Sequence, residues 1–373
     1  MNNAICQLTG AEFPLFAFSH CRDVVAAVSR AGGFGVLGGV GFTPESLKVE
    51  LEWIDQHVDG KPYGIDVLIP ENQPVAADAD LDAMVASIPT RHIDFVVDLL
   101  KRYEIELDRA EAVDGRRPKT MPDVGEAMMD VAFEHPIRLI VNALGIAPPS
   151  MMSRARKAGV PVGALVGSKE HALRQVEVGV DVLIAQGTEA GGHCGEVTTM
   201  VLVPEVVRAV KAVRDVPVLA AGGIMTGEQM AGAMAMGAQG AWTGSIWLAT
   251  AEAETTPTFR EKMVEARSRD TIRSKARTGK PSRQLRSAWH DAWEGPDSPG
   301  SLPMPFMPMV SKPALAAIDK AADNGSAKAR ELVTYFVGQG VGMVTEIESA
   351  GAVVQRFKSE FIDAVEALNA SFE

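Results

Sequence analysis

Cysteine is scarce in this chain, three residues among 373. Cys6, Cys21 and Cys194 form no C-x-x-C pair and have no spacing of metal-site type, so no metal is expected. The odd count, and an amino terminus that does not read as a secretory signal peptide, predict free thiols and a cytoplasmic protein. Long apolar runs are also missing. None reaches the roughly 18–20 residues that a membrane span needs, so no membrane partner is expected. Basic charge is in deficit, with 36 Lys and Arg against 48 Asp and Glu and a net charge of −12. That balance excludes nucleic acid as a natural partner, because polyanion binding needs a basic footprint. The one dense basic stretch, "RSRDTIRSKARTGKPSRQLR" (267–286), reads as a local solvated face. A G-x-G-x-x-G after the first strand is absent too, which argues against a Rossmann dinucleotide site. "GGFGVLGGVG" (32–41) has the wrong spacing and reads as turns around a short strand.

What is present is a rhythm of short apolar runs, each followed by a helix-like stretch. The runs are "FPLFAF" (13–18), "FGVLGG" (34–39), "YGIDVLI" (63–69), "RLIVNALG" (138–145), "VPVGALV" (160–166), "DVLIAQG" (181–187), "VPVLAAGG" (216–223) and "GAWTGS" (240–245). They are continuously apolar, as parallel strands covered on both faces are. Eight β–α units predict an α/β fold, a (β/α)8 barrel, with a doubly wound open sheet as the alternative. Gly32, Gly159, Gly179 and Gly237 read as helix C-caps. The surplus length predicts a barrel over 1–250 interrupted by a helical insertion at 71–135. Its two helices are expected in "RHIDFVVDLLKRYEI" and "PDVGEAMMDVAFE". A helical extension over 251–373 would pack on the barrel.

Chemistry in such a barrel belongs on the loops after the strands. Gly222 and Gly223 close the seventh run, Thr226 reads as a helix N-cap, and Gly244 and Ser245 follow the eighth. Adjacent loops free of large side chains let amide N–H groups converge on an anion, so a phosphate site is preferred over mere tight turns. After the sixth strand, "LIAQGTEAGGHCGEVTTM" (183–200) sets His193 among glycines. Imidazole suits proton transfer at a carbon acid, while a lone histidine also serves structure, and the residues alone leave both readings open. Gly191 and Gly192 would let backbone and a planar ligand approach closely. Cys194 lacks an adjacent base and reads as a small apolar neighbour rather than a nucleophile. Glu189 and Glu196 with His193 lack diagnostic metal-ligand spacing.

"AQGTEAGGHCGE", "PVLAAGGI" and "GAQGAWTGS" together resemble the nitronate monooxygenase (2-nitropropane dioxygenase-like) family. The likeness extends to "PLFAFSHCRDVVAAVSRAGGFGVLG" and "YGIDVL". It implies an FMN-dependent barrel that oxidises alkyl nitronates, or a related carbon acid, with molecular oxygen. Flavin-dependent enoyl-thioester and quinone reductases carry similar motifs, so an NAD(P)H-dependent flavin reductase is the alternative. A flavin-binding barrel without turnover is a third. By the resemblance His193 is the proton-handling residue, and Gln186 and Gly191 touch the flavin. Gly222, Gly223, Gly244 and Ser245 would then hold its phosphate. Asp66 stands where many members have an asparagine on the flavin ring. Where the family usually has an A-P-M type turn, this chain has "AFSHCR". Ala17, Phe18 and Ser19 would therefore meet the flavin mainly through backbone, with His20 and Cys21 on the substrate side. The 71–135 insertion follows the third strand, on the catalytic face, and is expected to roof the pocket, while "ARTGKPSRQLR" resembles a family segment near it. The implied partner is a small-molecule substrate, and a homo-oligomer is compatible with it.

Overall fold

The computed structural model describes residues 1–69, 80–116 and 122–372. Each of the eight apolar runs contains a strand. These are β1 (Leu15–Ser19), β2 (Phe34–Gly38), β3 (Tyr63–Val67), β4 (Ile140–Asn142), β5 (Val162–Val166), β6 (Val182–Gln186), β7 (Val218–Ala221) and β8 (Gly240–Thr243). All pair in parallel with the next, and β1 pairs with β8, so the sheet closes into a barrel and leaves no open edge. Pro161 and Pro217 stand just before β5 and β7, where no interior ladder bond is lost.

Alternation along the strands separates two faces. Leu15, Ile65 and Leu183 point outward beneath the helices. Phe16, Val36, Val141, Ile184 and Trp242 point inward and fill the barrel. The Phe16 ring lies 4.8 Å from Phe34 and 6.3 Å from Trp242, contacts worth about 0.5–1.5 kcal/mol each beyond burial. The first helix, Ala4–Thr9, adds Ile5 and Cys6 to this inner cluster. Asn3 Nδ2 donates to the Gln239 carbonyl at 2.6 Å, just before β8, so this helix plugs the amino-terminal end of the barrel. Chemistry is left to the opposite mouth.

The surplus length supplies two helices of the ring. Helix Pro122–Ala132 packs on helix Pro44–His57 and on β3, the place of the third ring helix. Helix Ala350–Ala370 packs against Gly227–Ala235 and Arg22–Arg30, which closes the ring as its eighth helix. The chain therefore leaves the ring of helices after β8 and resumes it only near residue 350. Within that excursion, helix Phe306–Asp323 packs against helix Thr90–Arg102 of the other insertion. His92 Nε2 also donates to the Gly300 carbonyl at 3.0 Å. The two excursions thus meet each other. Residues 71–79 and 117–121 of the expected insertion lie outside the described residues. Among the described residues no helix is long and apolar enough to cross a membrane.

Candidate active site at the barrel mouth

The loop after β6 is held from both sides. The Glu189 carboxylate accepts from Thr199 N at 2.9 Å and from Thr199 Oγ1 at 2.9 Å. It thereby caps helix Thr199–Lys211, whose own N-cap residue Thr198 makes no side-chain cap. From the other side comes a hairpin of β9 (Thr271–Ser274) and β10 (Ser282–Leu285). Gly192 N donates to the Arg283 carbonyl at 2.9 Å, and Arg283 N returns a bond to the Gly192 carbonyl at 2.8 Å. Arg283 Nε donates to the Thr188 carbonyl at 2.9 Å.

This clamp sets His193. Its Nδ1 lies 3.1 Å from the Pro281 carbonyl, which can only accept, so Nδ1 carries the proton and Nε2 keeps a lone pair. The side chain reaches open space, yet the protein around it pushes its pKa below the ordinary imidazole value. Burial is the first cause, and the Lys280 charge adds to it. The ring is therefore neutral near neutrality, with a basic nitrogen free. Phe336 stands 6.4 Å away, ring to ring, under the Arg277 guanidinium at 4.8 Å. The Cys194 thiol is raised by burial and donates to the Thr188 carbonyl at 3.4 Å, a poor setting for a thiolate.

The glycine loops follow β7 and β8, which are neighbours in the barrel. Gly222 and Gly223 have φ of +107° and +74°, which L side chains rarely adopt. Gly223 packs on the Glu189 side chain. Ser245 Oγ accepts from Gly338 N at 2.8 Å. Among the described residues no protein acceptor takes the N–H of Gly223, Ile224, Ser245 or Ile246. The space a Cβ would enter at Gly244 and at Gly192 is open. Orphaned backbone donors beside open space suit a phosphate. The helix after β7 is not part of this cradle: Thr226 caps it as expected, and its Gly227 N donates to Glu360 Oε2 at 2.7 Å.

Around the mouth, Phe18 lies 6.2 Å from Trp242 and edge-on to His20 at 5.2 Å. His20 Nδ1 donates to the Gly38 carbonyl at 2.8 Å, and burial lowers its pKa, so it too is neutral with Nε2 unprotonated. A Cβ at Gly38 would come within 2.6 Å of the His20 ring, which is why that strand end needs glycine. Asp66 is buried on the inner face of β3, and Gln186 is half-buried at the end of β6. Ala17 and Ser19 turn their side chains outward, Ala17 into the outer core and Ser19 with Oγ accepting from Cys21 N at 3.1 Å, so they offer the mouth backbone alone. Cys21 departs from its expected place. It starts helix Arg22–Arg30 and lies in the outer core, 4 % exposed, with Sγ donating to the Glu252 carbonyl at 3.0 Å. The turn into the helix carries it away from the substrate side.

Residues 337–341 were not singled out from sequence. Gly338 packs against Glu189, Gly191 and Ser245, and Gly340 against Met225 and Gly223. "VGQGVGM" is glycine-rich, but it lies far beyond β8, and strand order gives no reason to bring it to the mouth. Glu189, weighed only as a weak metal ligand, is committed to Thr199. Among the described residues no group of three or more acidic, histidine or cysteine side chains could hold a metal ion.

Barrel and mouth together define a TIM-barrel enzyme with a glycine-lined mouth beside a neutral imidazole. More particularly, the chain belongs to the nitronate monooxygenase family, whose model matches residues 14–360. It is 52 % identical over 370 residues to Rv1533 of Mycobacterium tuberculosis, a protein named for a monooxygenase activity, with 98 % of each chain covered. A Staphylococcus aureus protein named for nitronate monooxygenase activity is 26 % identical over 362 residues, covering 92 % of this chain and 93 % of that one. Among solved structures, the nitroalkane oxidase of Streptomyces ansochromogenes superposes with a TM-score of 0.80 at 27 % identity, covering 98 % of this chain and all of that one. FabK of Thermotoga maritima superposes with a TM-score of 0.72 at 26 % identity, covering 100 % and 99 %. The protein is thus an oxidoreductase of nitronate monooxygenase type, in a family of flavoenzymes, and acts on a small molecule.

Proposed function

We propose that this chain binds FMN and oxidises alkyl nitronates, or a related carbon acid, with molecular oxygen as electron acceptor. The observation that carries the reading is His193, a neutral imidazole with Nε2 free, in the loop after β6, next to strand ends whose backbone N–H groups lack protein acceptors among the described residues. The N–H groups of Gly223, Ile224, Ser245 and Ile246 would take the phosphate. Gln186, Asp66, Gly191 and the backbone of Ala17–Ser19 would face the ring. Bound FMN supplies the electron-accepting chemistry and its reoxidation by oxygen.

The chain's own part is positioning and proton handling. His193 Nε2 takes a proton from the carbon next to an electron-withdrawing group. Its Nδ1–H stays on Pro281, so the imidazolium that results is held in one orientation. A nitronate arrives already deprotonated, and the same imidazole then serves to hold its negative end. His20, with its ring fixed by Gly38, presents a second basic nitrogen that would select among substrates.

The likeness to FabK favours a second reading, an NAD(P)H-dependent reductase of an enoyl-thioester or quinone. Anaerobic stopped-flow absorbance separates the two. Flavin bleaching by alkyl nitronates but not by NADH or NADPH supports oxidation. Rapid bleaching by a pyridine nucleotide alone overturns it in favour of the reductase.

A further inference from the structure

Two buried polar side chains at the strand ends near the mouth have protein partners. Asn142 Oδ1 accepts from Ile69 N at 3.1 Å and its Nδ2 donates to the Leu144 carbonyl at 3.1 Å. Thr243 Oγ1 donates to the Phe16 carbonyl at 3.0 Å. Asp66 is 5 % exposed, and no donor or cation among the described residues meets its carboxyl. An unmatched carboxyl costs stability unless something else pairs with it.

Its neighbours in the barrel do not supply that partner. Asp66 is paired across the ladder with Gly38 on β2 and Val141 on β4, neither of which carries a polar side chain. From the end of β1 the titratable group at this level is His20, bound to the Gly38 carbonyl and neutral, with the Glu254 charge acting on it. On the helix packed over β3, Glu126 and Asp130 are turned to Arg154. Burial alone raises the Asp66 pKa well above the usual carboxylate range. A carboxyl that holds its proton can donate, as an amide would.

We propose that Asp66 presents its carboxyl O–H as a hydrogen-bond donor to the acceptor edge of the flavin ring. The inference rests on the FMN reading above. An amide would donate at every pH, whereas this acid donates only while it holds its proton. Cofactor affinity thereby acquires an alkaline limit set inside the barrel.

The test is FMN titration of the flavin-free full-length chain by fluorescence across neutral and alkaline pH, in wild type and Asp66→Asn. The expected result is a wild-type dissociation constant rising about tenfold per pH unit once the carboxyl ionises, with a flat profile for Asp66→Asn. Identical profiles in both overturn the inference and leave FMN binding standing. Absence of FMN binding in both proteins at every pH overturns both. Thermal melting without flavin gives a second readout. The folded carboxyl ionises at higher pH than the unfolded one. Its stabilising contribution is therefore whole below the unfolded range and lost as pH rises through the folded value. The melting temperature of Asp66→Asn should accordingly pull ahead of wild type as pH rises. A constant gap counts against an un-ionised Asp66.

Discussion

The His193 ring is tethered to the Pro281 carbonyl, 3.1 Å from Nδ1 and 88 residues further along the chain. The tether fixes the tautomer, so the basic nitrogen is Nε2 whatever the loop around it does. His193→Asn removes that base while keeping a polar side chain. Turnover of a neutral nitroalkane should fall by about 10²–10⁴, with nitronate turnover reduced far less and the bound-flavin spectrum unchanged. Steady-state oxygen uptake measures both, and equal rates in the mutant would remove His193 from the mechanism.

The pH profile carries a second test. The base works when neutral, so the acid limb of nitroalkane turnover marks the His193 pKa, held below the ordinary imidazole value by burial and by Lys280. Activity is lost as pH falls through that value. Lys280→Ala removes a charge that opposes protonation, so the limb should move to higher pH. A limb that stays in place would mean another group is titrating.

Two glycines at the cradle separate stability from ligand binding. Gly222 has φ +107°, and a Cβ there would come within 2.7 Å of Thr199 Oγ1. Gly222→Ala should cost about 1–3 kcal/mol of stability. Gly244 has φ −127°, and the space beside it is open. Gly244→Ala should melt like wild type yet bind FMN more weakly, because its methyl group enters the space the phosphate would use. Denaturant melts and flavin titrations of the pair check this. Unchanged FMN affinity in Gly244→Ala would move the phosphate elsewhere.

The barrel was legible because it is written locally. Eight apolar runs, punctuated by glycine and helical stretches, specify parallel strands without knowledge of distant contacts. The glycines at the mouth were legible for the same reason, since Gly222–Gly223 and Gly244–Ser245 sit directly after β7 and β8. Long-range partners were not. Nothing near residue 338 signals that its amide will meet Ser245 Oγ, and nothing near Pro281 names His193. Cys21 shows the limit at short range as well: one turn of geometry at a helix start carried its thiol into the outer core.

Glu189 supports both the loop and the cradle. Its carboxylate caps helix Thr199–Lys211, its carbonyl accepts from Gln339 N at 2.8 Å, and Gly223 leans on its side chain. Glu189→Ala should cost about 0.5–2 kcal/mol, the usual range for a lost cap, and should weaken FMN binding as well. Urea unfolding and flavin titration on one preparation test this together. A stability loss with unchanged affinity would confine Glu189 to the helix.

The last prediction concerns the carboxy-terminal helix, Ala350–Ala370. Val353, Val354 and Phe357 are buried, and Glu360 reaches the Gly227 amide with Arg356 beside it at 3.1 Å. These contacts make the helix part of the barrel ring, though 106 residues (244–349) separate it from β8. Phe357→Ala should therefore cost about 3–5 kcal/mol and lower the single unfolding transition of the whole barrel. Ile362, five residues on, is 54 % exposed, and Ile362→Ala should stay within about 0.5 kcal/mol. If the helix were an appendage, Phe357→Ala would instead split off an early local transition and leave the main one in place. Calorimetric scans of the two variants distinguish these outcomes directly.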